Sequence, residues 1–358
     1  MSVWEDVKAA AEHKEPNRVP VVLWNYGLVL KRYGAVSERE YYQNVKLQLE
    51  SKIAFQKRFP EVLNLHMFPE YGEHMAPVPT AFGANLEWLA DSPPWVKDYP
   101  IKTPEDVDKL VESGVPDPNE VGVTRELLKR YEYFGEWYPK DLREEYGYID
   151  GWIYPGECIE GAALTMGYDK FLIWLRRNPD TIHKWLRLAT DFLLKYCEAI
   201  EERVGKCRVL VIADHMASMV GKELFKEFIL PYLNKVFNKY PRALRVWHNE
   251  GSVSHMLEEV DKINAEVWQF GYSDDPAICK IKTHFCLMGN IHPPIFAKLS
   301  PTEVGKECLR IIRKAGKGGG LWLSTGGGLD PATPLKNIEA MIKVAEKYGK
   351  YPLKETST

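Results

Sequence analysis

A histidine and a glutamate two positions apart, His248 and Glu250, stand at the end of the apolar run LRVW. If that run is a strand, residues two apart share a face, so both side chains can enter one cavity. Imidazole nitrogen and carboxylate oxygen both bind zinc, and a zinc site takes three or more ligands from the protein. A third would have to come from elsewhere, with His66, Glu70, Asp214 and Cys286 as candidates. The structural alternative is that Glu250 caps a helix starting near Val253 while His248 only fills space. Similar residues close other β-rich runs. Trp24 ends VPVVLW and Asn25 and Tyr26 follow it, and His66, Glu70, Glu73 and His74 lie in or after VLNLHMF. Asp214 and His215 follow RVLVIA, Tyr272, Asp274 and Asp275 follow EVWQF, and Asn290 and His292 follow FCLMG. One such residue is ordinary; recurrence at five or six segment ends points to a shared site.

The elements that would position them alternate. Short β-rich runs at Val19–Trp24, Val62–Phe68, Gly151–Tyr154, Arg208–Ala213, Leu244–Trp247, Glu266–Phe270, Phe285–Gly289 and Gly320–Ser324 are separated by stretches of helical period. Helices are expected at Tyr41–Phe59, Asp169–Arg176, Pro179–Val204, Gly221–Phe237, Val253–Ile263, Pro301–Ala315 and Thr333–Tyr348. Strand-then-helix order implies parallel pairing, and eight such units close into a (β/α)8 barrel, with a doubly wound open sheet as the alternative. In such a barrel the site is built from the C-terminal strand ends, where the polar residues fall. The N-terminal MSVWEDVKAAAEHKEPNR reads as a helical extension. The stretch from about 76 to 150 lacks strand periodicity and is expected to be an inserted cap over the barrel mouth, within one domain spanning 1–358.

Forty-seven Lys and Arg against 50 Asp and Glu give a net charge of −3 over 358 residues, which offers no broad basic field for nucleic acid. No apolar run approaches the ~20 residues of a membrane helix. The acidic N-terminus without an apolar segment does not resemble a signal peptide, and six cysteines without a CxxC pair suit reduced thiols, so a cytoplasmic location is expected. The spacing of His66, Glu70 and His74 suggests i, i+4, i+8 metal ligation, but Pro69 and Gly72 interrupt any helix there. Gly318–Gly320 and Gly326–Gly328 lack the Gly-Lys-Ser/Thr or GxGxxG context of a phosphate loop and read as tight turns. Eleven Trp, nineteen Tyr and thirteen Phe include Trp24, Tyr26, Trp247 and Tyr272 at strand ends, where they could wall a flat pocket for an aromatic ligand.

Ordered segments along the chain, NRVPVVLW, GAALTMGYDKFLIWLRRNPDTIHKWL, ADHMASMVGKELFKEFILPYLNKV, WHNEGS, LMGNIHP and GGGLWLSTGGGLDPATPLKNIEAMIKVAEKYGKYP, resemble the uroporphyrinogen decarboxylase superfamily, in particular its corrinoid-dependent methyltransferases. The resemblance implies a (β/α)8 barrel with its site at the C-terminal mouth. Decarboxylases of the family open their first loop with arginines that hold substrate carboxylates, where this chain has WNYGLVL. Its thiol methyltransferases bind zinc through a His-x-Cys pair and a later Cys; here His248 remains, Glu250 replaces the first Cys and glycines fill 326–328. The branch left is transfer of a methyl group from a small aromatic donor, an aryl methyl ether, to a Co(I) corrinoid. No Asp-x-His-x-x-Gly corrinoid signature occurs, so a separate corrinoid protein is the expected partner. Glu250, His248, Asp214 and His215 are the expected catalytic residues. Trp24, Tyr26, His66, Glu70, Trp247, Tyr272 and Asn290 are expected to bind substrate, and zinc at His248 and Glu250 is a candidate cofactor. Methylcorrinoid-dependent transfer to another acceptor and a decarboxylase-like lyase are the alternatives, with a non-catalytic binding protein as the third.

Overall fold

A computed structural model describes residues 2–25, 27–34, 37–72 and 76–353. Its strands are β1 Val22–Leu23, β2 Leu63–Asn64, β3 Leu86–Glu87, β4 Trp95–Val96, β5 Trp152–Ile153, β6 Val209–Ala213, β7 Leu244–Asn249, β8 Val267–Phe270, β9 Cys286–Ile291 and β10 Leu321–Thr325. All eight expected β-rich runs contain a strand. β5 to β10 form one parallel sheet in sequence order, and β1 pairs in parallel with β2. A parallel bridge from Val21 to Leu323 ties β1 to β10. The remaining seam, between β2 and β5, is spanned by the Asn64 N–H donating to the Tyr148 hydroxyl at 2.8 Å. The arrangement is a (β/α)8 barrel. Strands buried on both faces explain why the runs are continuously apolar rather than alternating.

The N-terminal extension is a helix, Val3–Ala11, started by a capping box between Ser2 and Glu5. It packs under β10, where the Trp322 indole N–H donates to the Val7 carbonyl at 2.9 Å. Pro179–Val204 and Pro301–Ala315 run as the sequence predicts, each with proline in the first turn. Other helices are more broken than their periodicity suggests. Tyr41–Phe59 divides into Glu38–Gln43 and Val45–Arg58 because the Asn44 side chain caps the second helix. Gly221–Phe237 becomes Lys222–Leu224, a π-helical turn Phe225–Ile229 and Leu230–Lys239; Pro231 has no N–H to give to the regular ladder. Val253–Ile263 shrinks to a 3₁₀ turn, Ser254–Met256, and the short helix Leu257–Val260.

The stretch from about 76 to 150, which lacks strand periodicity, does contain two short strands, the antiparallel pair β3 and β4. Its helices Pro104–Ser113 and Thr124–Trp137 pack against the outer helix Pro179–Val204, completing the barrel's outer layer. The hairpin end reaches the mouth instead, where Pro93 lines a cleft with Glu250 and Tyr272. No helix among the described residues is long and apolar enough to cross a membrane.

Candidate active site

The register of the barrel sorts the strand-end residues. Ala213, His248 and Gln269 are lateral neighbours on β6, β7 and β8, while Ile212, Trp247 and Trp268 are neighbours one step earlier and point the other way. His248 therefore enters the barrel mouth. Trp247, expected to hold a substrate ring, is fully buried, with its ring on Trp268 at 5.6 Å and Phe285 at 6.5 Å. Its assignment to the pocket is corrected: alternation turns it away from His248.

His248 is fixed on two sides. Its Nδ1 lies 2.5 Å from Gln269 Oε1, and Trp24 stacks on its ring at 4.4 Å between centroids. His215 approaches edge-on, with ring centroids 5.0 Å apart. One ligand-capable atom from each of His215, His248 and Glu250 lies within 4.8 Å of the others. The ligand-capable residue that joins the expected pair is thus His215. Cys286 is the first residue of β9, at the strand end away from the mouth, where burial pushes its thiol up, and Asp214, His66 and Glu70 are engaged elsewhere.

Glu250 does not cap the following helix; Asp274 takes that place, accepting from the Ser252 hydroxyl at 2.6 Å and the Val253 N–H at 3.2 Å. The Glu250 carboxylate lies instead against Gly327, whose φ of 134° belongs to glycine, and a Cβ there would overlap the carboxylate. Glu250 is exposed at the mouth, yet partial desolvation by the surrounding protein raises its carboxyl above its ordinary value and the charge of Glu160 adds to this, against the opposite pull of His215, the Gly328 N–H and His292.

His215 belongs to a second group. Its Nδ1 is 2.7 Å from Glu160 Oε2, which also accepts the His215 backbone N–H at 2.9 Å. The other Glu160 oxygen accepts from the Tyr168 hydroxyl at 2.5 Å. His215 Nε2 is buried without a partner among the described residues. Burial alone would depress the imidazole, but the hydrogen bond and charge of Glu160, helped by Glu250 and Asp214, hold it at about 9. Burial would raise Glu160, yet His215 and Tyr168 hold it down to about 2. Glu157 is buried within ligand distance of the same pair.

Asp214 was expected to act in catalysis. Its oxygens accept the backbone N–H groups of Ile159 at 2.5 Å, Glu160 at 3.1 Å and Met216 at 3.1 Å, so it holds the start of the helix Ile159–Leu164 that carries Glu160. Burial and the Glu160 charge raise it to about 7 in spite of those donors. Glu70 likewise faces inward to protein. It pairs with Lys52 at 2.7 Å, accepts from Tyr41 at 2.9 Å and lies 3.1 Å from His66 Nδ1. It positions His66, whose ring is 5.2 Å from Trp24 and 4.4 Å from Phe68. Asn290 spends its amide N–H groups on the carbonyls of Gly271 and Asp274, leaving only Oδ1. Tyr272 is 53% exposed at the mouth, against His292 at 3.8 Å. Tyr26, Glu73 and His74 lie outside the described residues.

Glu160, Tyr168, Glu157 and Gln269 were not among the expected site residues. The strand-end rule applied to GWIY would have reached Glu157 and Glu160 in the following PGECIE, and Gln269 is the one polar residue inside β8.

Above the cluster a cleft of about 480 Å³ opens to solvent, lined by Glu38, Glu250, Tyr272, His292 and Asp330 among others. Among its described lining residues there are three carboxylates and no Lys or Arg. Deeper in the barrel the buried rings of Trp24, Phe68 and Tyr154 pack together, with Phe68 and Tyr154 4.0 Å apart.

A barrel with a polar cluster at the C-terminal strand ends defines the class. The uroporphyrinogen decarboxylase family model matches residues 151–348, and the chain belongs to that family. It is 26% identical over 281 residues to the uroporphyrinogen decarboxylase of Aliarcobacter butzleri, covering 76% of this chain and 78% of that protein. The Campylobacter jejuni decarboxylase is 27% identical over 282 residues, covering 75% and 77%. A methyltransferase from Methanosarcina mazei superposes with a TM-score of 0.79 at 20% identity over 97% of this chain and 99% of that one, which shows a shared fold.

Proposed function

We propose that the protein is a methyltransferase that moves a methyl group from a small aryl methyl ether to the Co(I) corrinoid of a separate protein in the cytoplasm. The observation that carries this reading is the convergence of His215, His248 and Glu250 at a mouth whose described lining includes Tyr272 and three carboxylates but no Lys or Arg. A porphyrinogen brings several carboxylates, and Glu38, Glu250 and Asp330 would repel them. A neutral aromatic ether meets no such penalty.

When the methyl carbon passes to cobalt, the donor oxygen leaves with the bonding electrons and needs a proton or an electrophile. His215, held as a cation by Glu160, is placed to give the proton from Nε2. Such help contributes about 10²–10⁴-fold. Trp24, Phe68 and Tyr154 orient the ring and exclude water. The donor set also fits zinc: the buried His215 Nε2 has no other partner among the described residues, and Gln269 holds His248 by Nδ1. Zinc on His215, His248 and Glu250 would supply Lewis-acid polarisation of the ether oxygen.

The test is incubation of the purified protein with 2-methoxyphenol and free cob(I)alamin, following catechol and methylcobalamin. Both should form, and His215→Ala should lower kcat about 100-fold or more. Absence of demethylation together with release of carbon dioxide from uroporphyrinogen would replace this reading with that of the decarboxylase relatives.

A further inference from the structure

The end of the barrel opposite the mouth carries a cleft of about 510 Å³, lined by Trp4, Lys8, Asp150, Lys206, Arg208 and Arg242 among others. That volume is in the range of small-molecule sites. The four cations arrive from separate parts of the chain: Lys8 from the first helix, Lys206 and Arg208 from the turn before β6, and Arg242 from the turn before β7. In a protein of net charge −3 this concentration is not a by-product of a basic surface.

The cations are not neutralised from within. Asp150 is the one acid among the described lining residues, and Arg143 takes both of its carboxylate oxygens, with Nε to Oδ2 at 3.0 Å. Lys206, Arg208 and Arg242 form no ion pair among the described residues, and Lys8 reaches Glu12 only at 3.9 Å. Arg208 is seated. Its guanidinium lies 5.7 Å from the Trp4 ring centroid, and Nη1 donates to the Asp150 carbonyl at 3.4 Å. Gly147 and Gly151, at φ 71° and 69°, let the chain pass beside it; a Cβ at Gly147 would press within 3.2 Å of Arg208 Nη2, and one at Gly151 would collide with the Lys206 carbonyl. A second cleft of about 270 Å³ shares Lys206, Cys207 and Arg242, so the groove continues past Arg242. Converging unpaired cations repel one another, and a multiply charged anion reverses the sign of that interaction. Guanidinium groups present forked donors that match phosphate oxygens.

We propose that this cleft binds a small, multiply charged anion of the phosphate class, at a site remote from the barrel mouth. The test is isothermal titration calorimetry of the full chain with inorganic tripolyphosphate at low ionic strength. Saturable one-to-one binding is expected, weakened about tenfold or more by Arg242→Ala and by Arg208→Ala and unchanged by Lys298→Ala at the other end of the barrel. Arg242 is exposed and makes no ion pair among the described residues, so its variant should melt like the parent protein; this keeps the test independent of any loosening caused by Arg208→Ala. No saturable heat, or heat indifferent to Arg242→Ala, overturns the proposal. So does co-sedimentation with phosphatidylglycerol vesicles that depends on Arg242 while tripolyphosphate gives no heat, since the phosphate would then belong to a lipid surface and not to a free anion.

Discussion

His248 Nδ1 and Gln269 Oε1 face each other at 2.5 Å across the β7–β8 ladder. The Gln269 amide nitrogen donates to the carbonyls of Thr325 at 3.3 Å and Gly327 at 3.2 Å, so its oxygen must be the atom facing the histidine. Nδ1 then carries the hydrogen and Nε2 the lone pair, the tautomer suited to ligating a metal or accepting a proton. Gln269→Leu should lower kcat about 10–100-fold by releasing the ring. Nitrogen NMR of the imidazole should show a mixture of tautomers in the variant and one in the parent; one tautomer in both would sever this link.

Gly327 gives Glu250 its place. Alanine there would carry a Cβ into the carboxylate at a φ of 134°. Gly327→Ala should therefore cost about 1–3 kcal/mol of stability and reduce turnover as far as Glu250→Ala does. If the two variants differ widely in kcat at equal folded fraction, the carboxylate is not held by this glycine.

Much of this was legible in the sequence. Parallel strands buried on both faces leave continuous apolar runs, so all eight barrel strands could be placed, and the two-residue spacing at a strand end selected His248 with Glu250, which lies one residue past β7. The same rule, pressed one step further, would have removed Trp247. The pairing of His215 with Glu160 joins the end of β6 to the helix Ile159–Leu164, 55 residues away, and Lys52 with Glu70 joins a helix to the segment after β2. Such contacts are set by closure of the barrel and have no local period. Asn44 and Pro231 ended or widened helices whose apolar spacing continued through them, because backbone donors, not hydrophobicity, decide where a helix stops.

The Glu160–His215 pair makes stability depend on pH at both ends. Glu160 is lowered to about 2 from an ordinary 4.5, so its contribution is present above about 4.5 and is lost as pH falls through 2. His215 is raised to about 9 from 6.5, so its contribution is complete below about 6.5 and is lost as pH rises through 9. Asp214, raised to about 7 from 3.8, adds a loss between those values because its charge is buried as pH rises. Urea unfolding from pH 5 to 10 should show declining stability. Glu160→Gln should flatten the decline between pH 6.5 and 9; an unchanged slope would show that the pair does not set it.

Lys52 and Glu70 are both buried, and their ion pair at 2.7 Å sits behind His66. Burial pulls Lys52 down and pushes Glu70 up, while each partner's charge opposes the shift. Removing one charge strands the other, so Lys52→Met should destabilise by about 3–5 kcal/mol. Combining Lys52→Met with Glu70→Gln should recover part of that loss, since the neutral amide introduced at position 70 would still have Tyr41 and His66 within reach. A double variant as unstable as the sum of the single ones would mean that the two residues do not act as a pair.

Elemental analysis of the purified protein distinguishes the two ways His215 could assist the leaving oxygen. Two imidazoles and a carboxylate within 4.8 Å, with Glu160 and Gln269 bonded to the Nδ1 atoms, match a three-ligand zinc site that keeps one position open. About one zinc per chain, lost in His215→Ala and in Glu250→Ala, would assign the leaving oxygen to the metal, since His215 Nε2 cannot carry both zinc and the donated proton. Chelation should then abolish turnover, and added zinc should restore it in the parent protein but not in either variant. If the metal-free protein turns over at the full rate, proton transfer from His215 carries the reaction. In that case kcat should fall as pH rises through about 9, where the imidazolium is lost.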